Sequence, residues 1–291
     1  DLEPMLDNVS SFEWVARKKN YHNLIKPGKY VISEGMNNND LVDLLRSGNQ
    51  VPVKLSFNNQ DTFEKLAGRI AIQIEADSST LAEVFLEKEF LASNGFTEQT
   101  AIAMYIPNTY EFYWNTTAEE FRSRMLTEYN RFWNADRLAK AKKQQLTPLE
   151  VMTLASIVQK ETALVVERPV VAQLYLNRLN SGWPLQADPT IIFAINQHRT
   201  EKMVIRRVLN KDLQIVSPYN TYRNAGLPPG PIGMPDISSI EGVLNPTKHN
   251  YYYMCASIDE LGKHEFAATL SQHNRNAAKY QSWLNKQGIR R

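Results

Sequence analysis

The fold of this chain is predicted chiefly by one stretch, which reads Leu146-Thr-Pro-Leu-Glu-Val-Met-Thr-Leu-Ala-Ser-Ile-Val-Gln-Lys-Glu161-Thr162 and continues to Tyr175. Thr147 is a suitable N-cap, and Pro148 suits the first position of a helix. Glu150 completes a Thr-x-x-Glu capping box with Thr147. The stretch therefore predicts an α-helix that begins directly after Thr147.

Glu161 lies on the apolar face of this predicted helix. Leu154, Ile157 and Val158 precede it by seven, four and three residues, a spacing that places their side chains on one side of a helix. Burial disfavours the charged form of a carboxylate, and the negative end of the helix dipole does the same, so both raise the pKa of Glu161. A carboxyl group that keeps its proton near neutral pH can act as a general acid.

A purely structural role for Glu161 explains the same pattern. The residue lies at the end of the predicted helix, where its side chain could turn to solvent. It could also form an ion pair with Lys160 or Arg168. The pattern alone leaves the catalytic and the structural interpretation open.

Several motifs between residues 147 and 274 resemble those of the YceG-like family, the MltG-type endolytic murein transglycosylases. The segment Leu154-Ala-Ser-Ile-Val-Gln-Lys-Glu-Thr162 is similar to the family signature, with Gln159 in place of the more usual Glu. An ordered set of matches that spans residues 147–274 is very hard to obtain by chance. The further matches are Glu167-Arg-Pro169, Tyr175-Leu-Asn-Arg178-Leu, Pro184-Leu-Gln-Ala-Asp188-Pro-Thr190, Tyr219-Asn-Thr-Tyr222, Gly226-Leu-Pro-Pro-Gly-Pro-Ile232, Asn245-Pro246, His264-Glu-Phe266 and His273-Asn274.

The resemblance implies a catalytic residue and a set of substrate contacts. In the family the Glu of Lys-Glu-Thr is catalytic, and it corresponds to Glu161 in this sequence. Asp188 also has a structural explanation, because an Asp at the start of a helix is a good N-cap. The positions that the matches imply for substrate binding are Asn177, Arg178, Gln186, Asp188, Thr190, Asn220, Tyr222, His264 and Phe266.

The implied activity is that of an endolytic peptidoglycan lytic transglycosylase, acting on nascent glycan strands. Glu161 would protonate the glycosidic oxygen between N-acetylmuramic acid (MurNAc) and N-acetylglucosamine (GlcNAc). Its carboxylate would then take the proton from the muramoyl C6 hydroxyl, which closes onto C1 to give a 1,6-anhydro end. One carboxylate suffices because the substrate supplies the nucleophile, whereas an ordinary glycosidase needs two. The alternatives are a lysozyme-like muramidase with Asp188 as second carboxylate, and a non-catalytic glycan-binding protein of the divisome or elongasome.

Composition excludes several other classes of function. A net charge of +2 is too small to indicate nucleic-acid binding. The single cysteine, Cys255, excludes an intrachain disulfide and a cysteine-based zinc site. No Gly-x-Ser-x-Gly, Walker or dinucleotide motif occurs. No metal or other cofactor is expected, because the spacing of a helical metal site is absent among the five histidines, which are His22, His198, His249, His264 and His273.

The N-terminal part predicts a small strand–helix–strand unit. Residues 29–33 and 51–57 have the composition of strands, and residues 40–46 that of a helix between them. This arrangement resembles the LysM-like module that precedes the catalytic part in the family. We therefore predict a LysM-like unit at residues 1–56 and the catalytic domain at residues 57–291. The absence of an aromatic cluster favours a spacer over a glycan-binding module.

The remaining sequence predicts an α+β fold, in which a small LysM-like N-terminal unit is followed by a larger catalytic region of helices around a mainly antiparallel sheet. The Pro-rich loop at residues 226–231 is stiff and suits the wall of a substrate groove. The aromatic stretch at residues 104–114 could stack on sugars or pack in the core. Helices are expected from residue 63 past residue 70, and at 80–93, 118–143, 169–181, 190–196, 238–245 and 271–286, with a hairpin of strands at 251–256 and 263–267.

The resemblance also implies a location and partners. No apolar run approaches the length of a transmembrane helix, and the chain begins at Asp1. Members of the family usually carry one N-terminal membrane anchor, so we expect an anchor that is absent from this chain. The implied location is the bacterial cell envelope, at the periplasmic face of the inner membrane. The implied partners are peptidoglycan glycan strands and peptidoglycan synthases.

Overall fold

The computed structural model describes residues 3–197, 199, 203–205, 207–260 and 262–287. Helices and short antiparallel strands both occur there, which confirms the predicted α+β class. The helices are α1 (Val9–Lys18), α2 (Asn38–Ser47), α3 (Phe63–Ala71), α4 (Ser78–Phe85), α5 (Lys88–Ser93), α6 (Ala118–Phe132), α7 (Ala135–Lys143), α8 (Pro148–Glu161), α9 (Arg168–Asn180), α10 (Asp188–Asn196), α11 (Ile237–Leu244) and α12 (Leu270–Lys286). The strands are β1 (Val53–Phe57), β2 (Asn108–Phe112), β3 (Tyr253–Ala256) and β4 (His264–Ala267).

The strands form two separate pairs rather than one sheet. Strand β1 runs antiparallel to β2, with Val53 opposite Phe112, and β3 runs antiparallel to β4, with Tyr253 opposite Ala267. The second pair confirms the hairpin predicted near the C-terminus. The strand predicted at residues 29–33 is wrong, because a backbone hydrogen bond from Val51 N to the Lys29 carbonyl does not extend into a ladder.

The chain divides into two compact units. The first comprises Asp1–Phe57, Glu64–Val84 and Asn108–Arg122. The pair β1–β2 lies within it, so the N-terminal segment shares its sheet with residues 108–112. The LysM-like character and the independent folding of residues 1–56 stay predictions. Buried apolar residues of this unit include Leu41, Val42, Leu45, Leu55, Leu66, Ile70, Leu81, Phe112 and Phe121.

The second unit comprises Asn58–Phe63, Phe85–Pro107 and Ser123–Arg291. Helix α8 lies in its core and packs against both α9 and α11. All eight residues from 151 to 158 are buried. The predicted apolar positions Leu154, Ile157 and Val158 are buried, and so are the residues between them, because α9 and α11 both pack against α8.

The helix predicted at residues 118–143 is two helices, α6 and α7. Asn134 separates them, and its side chain accepts a hydrogen bond from Arg137 N at 3.0 Å as the N-cap of α7. An Asn side chain competes well for such a backbone donor, so it favours a new helix start over helix continuation. The capping box of Thr117 and Glu120 at the start of α6 is confirmed.

The helix predicted at residues 80–93 also divides, into α4 and α5. Asp77 provides the N-terminal cap of α4. Its Oδ1 accepts hydrogen bonds from Ser79 N at 2.9 Å and Thr80 N at 3.0 Å. A carboxylate is a strong acceptor of hydrogen bonds from backbone N–H groups, which explains why α4 begins directly after Asp77.

The aromatic stretch at residues 104–114 has two kinds of position. Tyr105 is fully buried in the second unit, and Phe112 is buried in the first. Packing explains both of these rings. Tyr113 and Trp114 keep exposed surface.

Across the described parts of the chain, no helix combines the length and apolar character needed to cross a membrane.

The start of α8 provides a test of local stability. Thr147 Oγ1 accepts from Glu150 N at 3.3 Å, and Thr147 N donates to Glu150 Oε2 at 2.7 Å, as the predicted capping box requires. We expect Thr147→Ala to lower the free energy of unfolding by about 0.5–2 kcal/mol in urea titrations. The control Thr127→Ala changes an exposed residue inside α6, where alanine is the better helix former, and should be neutral or stabilising. Equal losses in the two variants would contradict the role of the cap.

Candidate active site

Glu161 is the last residue of α8 and faces the side chain of Tyr175 on α9. The chain leaves the helix at Thr162, which is extended, and turns through a 3-10 turn at Val165–Glu167 into α9. The two helices therefore form a helical hairpin. Tyr175 is fully buried, and its hydroxyl donates a hydrogen bond to Glu161 Oε2 at 3.0 Å.

The pKa of Glu161 is raised above that of an ordinary glutamate, as the sequence predicted. Burial of the carboxyl group is the largest cause, and the negative charge of Asp188 acts in the same direction. The hydrogen bond from Tyr175 and the positive charges of His264 and Arg178 lower the pKa without cancelling the effect of burial. Because Glu161 is half-buried, it is both desolvated and open to a bound molecule.

The neighbouring cations pair elsewhere. Lys160 Nζ lies 2.6 Å from Asp61 Oδ1. Arg168 is buried and donates to both carboxylate oxygens of Asp236, at 2.7 and 2.8 Å. The predicted alternative, an ion pair of Glu161 with Lys160 or Arg168, is therefore wrong. The carboxyl group of Glu161 remains available for chemistry.

Asp188 is held by Tyr222 and does not cap a helix. It is the first residue of α10, and Ala187 occupies the N-cap position. The predicted capping role is wrong because Asp188 already has helical geometry, so its side chain is not in the capping position. The hydroxyl of Tyr222 donates to Asp188 Oδ1 at 2.5 Å, and Asp188 is exposed.

Gln186 and Thr190 flank Asp188 with different environments. Gln186 is exposed and has a left-handed backbone with φ of +51°, a conformation that costs a non-glycine residue about 1–2 kcal/mol. The backbone N–H of Gln186 donates to the Thr221 carbonyl at 3.0 Å, which helps to hold this conformation. Thr190 is fully buried and hydrogen-bonds Thr221 Oγ1 at 2.8 Å. Gln186 thus presents its side chain to solvent, whereas the buried hydrogen bond of Thr190 joins the start of α10 to Thr221.

Arg178 and Asn177 bind backbone carbonyls. The Arg178 guanidinium donates to the Tyr252 carbonyl at 2.7 Å and to the Leu185 carbonyl. Asn177 Nδ2 donates to the carbonyls of His249 and Tyr251, at 3.0 and 2.9 Å. Arg178 places its charge near Glu161, whereas the amide of Asn177 positions the loop before β3.

Asn220 and Phe266 also support their neighbours. Asn220 is fully buried, and its Oδ1 accepts from Tyr222 N at 3.0 Å, which fixes the backbone that carries the Tyr222 ring. Phe266 is half-buried, and its ring stacks on Tyr251 with centroids 5.8 Å apart. The ring of His264 lies 6.2 Å from that of Phe266.

Glu167 is a site residue that the sequence reasoning missed. It is buried, and its two carboxylate oxygens accept from His264 N at 2.7 Å and from His264 Nδ1 at 2.8 Å. Burial acts to raise the pKa of Glu167, but the hydrogen bonds from His264 and Thr162 together hold the pKa below the usual value. Glu167 thereby fixes the imidazole whose charge acts on Glu161. The signal was present in the Glu167-Arg-Pro169 match, but no local pattern pairs residues so far apart in sequence.

Gln159, where the family usually has Glu, has a structural function here. Its Nε2 donates to the Met234 carbonyl at 3.1 Å, and its Oε1 accepts from Asp236 N at 2.5 Å. A glutamate could accept but could not donate to Met234. The amide therefore fits this bridge between α8 and the start of α11.

The Pro-rich loop is firmly attached to its surroundings. Ile232 N donates to Ser156 Oγ of α8 at 3.0 Å. A Cβ atom at Gly230 would lie 2.2 Å from the Gln99 carbonyl oxygen, so only glycine fits there. The role of the Pro-rich loop as a wall of the substrate groove stays a prediction. Residues 226–229 line a cavity of about 510 Å³ together with Gln144, Gln145, Leu146, Glu150, Leu176, Leu179 and Asn180.

The described residues contain no group of three or more His, Cys, Asp or Glu side chains arranged to hold a metal ion. His249 Nδ1 accepts from Tyr251 N at 3.0 Å, and its Nε2 lies 2.9 Å from the Val170 carbonyl, to which it donates in this tautomer. His273 stacks on Tyr253 with ring centroids 5.3 Å apart. His198 lies outside the described residues.

Comparison with known proteins connects this geometry to one family. A model of the YceG-like family matches residues 2–279. An endolytic murein transglycosylase of Bacillus subtilis (strain 168) is 36% identical over 181 residues, covering 62% of this chain and 48% of the relative. An endolytic murein transglycosylase of Streptococcus pneumoniae serotype 2 (strain D39) is 31% identical over 299 aligned positions, covering 92% of this chain and 53% of the relative.

A solved structure has a similar fold. It is the crystal structure of a YceG-like protein from Listeria monocytogenes, at 30% sequence identity and a TM-score of 0.64. The match covers 92% of this chain and 90% of that chain. The chain spans about half the length of the curated relatives it matches.

The raised pKa of Glu161 makes stability depend on pH. The folded state binds this proton more tightly than the unfolded state does, so stability falls as pH rises from the ordinary carboxyl pKa towards the raised value. Glu161→Gln keeps an acceptor for Tyr175 but carries no charge. We expect the variant to match the wild type near pH 4 and to be the more stable of the two near pH 8, measured by urea unfolding.

A matched control is Glu98→Gln, which changes an exposed glutamate. Its stability relative to the wild type should vary little over the same pH range. A wild type that gains stability over Glu161→Gln as pH rises would contradict the burial of this carboxyl group.

Proposed function

The chain belongs to the YceG-like family, and on this basis we propose that it is an endolytic peptidoglycan lytic transglycosylase with Glu161 as its single acid–base residue. The observation that carries the proposal is a half-buried carboxyl group at the end of a buried helix, with a raised pKa. A raised pKa favours the protonated carboxyl group, which is the form that a general acid needs. The names of the murein transglycosylase relatives support the substrate class.

In the first step Glu161 gives its proton to the glycosidic oxygen between MurNAc and GlcNAc. Tyr175 donates its hydrogen bond to Oε2, which leaves Oε1 to carry the proton towards the substrate. The bond from the muramoyl C1 to that oxygen breaks, and the GlcNAc part leaves with a neutral hydroxyl group. Positive charge develops on the muramoyl ring, as in other glycoside cleavage reactions.

In the second step the Glu161 carboxylate takes the proton of the muramoyl C6 hydroxyl. The C6 oxygen forms a bond to C1, which gives the 1,6-anhydro end, and Glu161 is protonated again without consumption of water. The hydrogen bond from Tyr175 and the charges of Arg178 and His264 favour the carboxylate that exists between the two steps. The site therefore balances burial, which favours the acid, against groups that favour the base.

The substrate we propose is the glycan strand of peptidoglycan, and the place of action is the bacterial cell envelope, because murein is the polymer of the cell wall. The curated relatives extend beyond the part that this chain matches. The preference for nascent strands, the periplasmic location at an anchored inner-membrane position, and the partnership with peptidoglycan synthases stay predictions. Analysis of strands digested by the purified chain for 1,6-anhydro ends tests the reaction itself.

Replacement of Glu161 is the sharpest test of the acid–base assignment. Glu161→Gln preserves size and the acceptor for Tyr175 but cannot transfer the proton. Removal of a positioned acid or base costs about 10²–10⁴-fold in rate, and we expect a loss at the upper end because one group serves both steps. The rate of release of anhydro ends is measured by mass spectrometry, with Glu98→Gln as control. A Glu161→Gln enzyme that keeps more than a few per cent of the rate would overturn the assignment.

Asp188→Asn separates transglycosylation from hydrolysis. Asn still accepts the hydrogen bond of Tyr222, so the variant removes the charge and keeps the contact. The transglycosylase gives Asp188 no proton to carry, so we expect a loss much smaller than that of Glu161→Gln. A lysozyme-like hydrolase predicts comparable losses and reducing muramic acid ends. A non-catalytic glycan-binding protein predicts binding without products from the wild type.

Tyr175→Phe tests the balance at Glu161 through pH. The hydrogen bond from Tyr175 lowers the pKa of Glu161, so its removal should raise that pKa further. Activity falls at high pH when the acid loses its proton. The alkaline limb of kcat/KM against pH should therefore move to higher pH. Tyr113→Phe, at an exposed tyrosine, should leave the limb in place, and a shift to lower pH in Tyr175→Phe would contradict the proposed contact.

A further inference from the structure

Three aromatic side chains form an exposed cluster in the second unit. Trp183 is 42% exposed, and its ring lies 5.1 Å from that of Tyr252 and 5.9 Å from that of Tyr253. Both tyrosines are half-buried. We call Trp183, Tyr252 and Tyr253 the aromatic cluster. Its residues come from the segment after α9 and from the start of β3, so only the fold brings them together.

The aromatic cluster is held in a fixed arrangement. Gly182 has φ of +68°, and the backbone amide of Trp183 donates to the Arg178 carbonyl at 2.8 Å, which closes the end of α9. Ser181 Oγ and the Tyr252 hydroxyl are 2.9 Å apart. His273 stacks on Tyr253 with centroids 5.3 Å apart. A rigid ring loses little entropy when it binds a ligand, so this arrangement favours binding.

Arg178 connects the aromatic cluster to the site of Glu161. Its guanidinium donates to the Tyr252 carbonyl, and its own carbonyl accepts from Trp183. Tyr175, which holds Glu161, precedes Arg178 by three residues on α9, and side chains at this spacing are neighbours roughly 5–6 Å apart. Arg178, which contacts the cluster through its guanidinium and its carbonyl, therefore lies about one helical turn from the residue that holds the proposed acid.

Exposed polar side chains follow Trp183 along the chain up to the start of α10. The chain runs from Trp183 through the exposed side chain of Gln186 to that of Asp188. These six residues, joined by five Cα–Cα steps, can span at most about 18 Å. An exposed indole, an amide and a carboxylate thus follow one another within a short stretch of chain. A sugar ring needs both kinds of group, because its C–H face is apolar and its hydroxyls are polar.

We propose that the aromatic cluster is a glycan-binding subsite, in which Trp183 stacks on an amino-sugar ring of the strand beyond the bond that Glu161 cleaves. The inference rests on the proposed function, because it assigns this surface to the same strand. The subsite would hold a long strand while contributing little to the reaction of a short one. It gives the enzyme a physical reason to act within strands instead of on small fragments.

Strand length provides the test. In full-chain Glu161→Gln, we expect the added substitution Trp183→Ala to weaken binding of long purified glycan strands about tenfold, measured by calorimetry. Binding of tetrasaccharides that reach only across the cleaved bond should not change. In the active enzyme, Trp183→Ala should raise KM for long strands and leave kcat within about twofold. Trp183→Phe keeps a ring and should restore part of the affinity.

Trp14→Ala is the matched control, because Trp14 is 63% exposed and lies on α1 of the first unit. It should change neither binding nor KM. The proposal is overturned if Trp183→Ala leaves long-strand binding unchanged, or if it lowers kcat for short and long strands alike. It is also overturned if Trp183→Ala converts a dimer into a monomer in sedimentation, because a second copy would then cover the cluster.

The two proposals fail in different ways. If the wild type releases no anhydro ends but Trp183 still supports binding of long strands, the transglycosylase reaction is wrong and the subsite stands. If anhydro ends form and Trp183→Ala has no effect that depends on length, the reaction stands and the subsite is wrong. Circular dichroism of each variant establishes that the fold is retained.

Discussion

The burial of one carboxyl group determines the arrangement around it. Glu161 is the last residue of a helix whose residues 151–158 are all buried. Its side chain therefore lies at the edge of the core and is only partly exposed to water. Burial alone would hold the carboxyl group protonated, and a group that never releases its proton is no catalyst. Tyr175, Arg178 and His264 oppose that effect. The rest of the site can be understood as the means of keeping these three groups in place.

Backbone contacts achieve much of this positioning. Arg178 and Asn177 donate to carbonyls before β3, and Asn220 supports the Tyr222 backbone. Glu167 uses both carboxylate oxygens to hold His264. Buried polar groups must be satisfied, so each of these contacts also stabilises the fold. A match to a family motif at such a position therefore reflects architecture as well as substrate contact.

Local chemistry explains which parts could be predicted from the sequence. The capping box at Thr147 and the hairpin of β3 and β4 depend on near neighbours, and both were predicted correctly. The break between α6 and α7 depends on the hydrogen bond from Arg137 N to the side chain of Asn134. Residues 29–33 form no strand because they have no ladder of hydrogen bonds to a neighbouring strand. Sequence periodicity indicates neither of these partners. The full burial of α8 required the packing of α9 and α11 around it.

Contacts between distant segments account for what the sequence reasoning missed at the site. Glu167 and His264 are 97 residues apart, and their pairing depends on the way β4 reaches the α8–α9 turn. The aromatic cluster likewise joins Trp183 to Tyr252 and Tyr253 from another segment. The local sequence around each residue does not indicate which distant residue it contacts. Only the assembled fold shows that each has a neighbour that gives it a function.

Asp188 illustrates how one charge can assist a reaction without transferring a proton. Its carboxylate accepts from Tyr222, and its negative charge acts to raise the pKa of Glu161. In the reaction that we propose, a charge that favours the protonated acid would support the first step, and the same charge would stabilise the positive muramoyl ring that follows. A nucleophile or general base must instead be free to meet C1 or a water. The contact with Tyr222 occupies one oxygen of Asp188, so its geometry favours an electrostatic role beside a single acid–base residue.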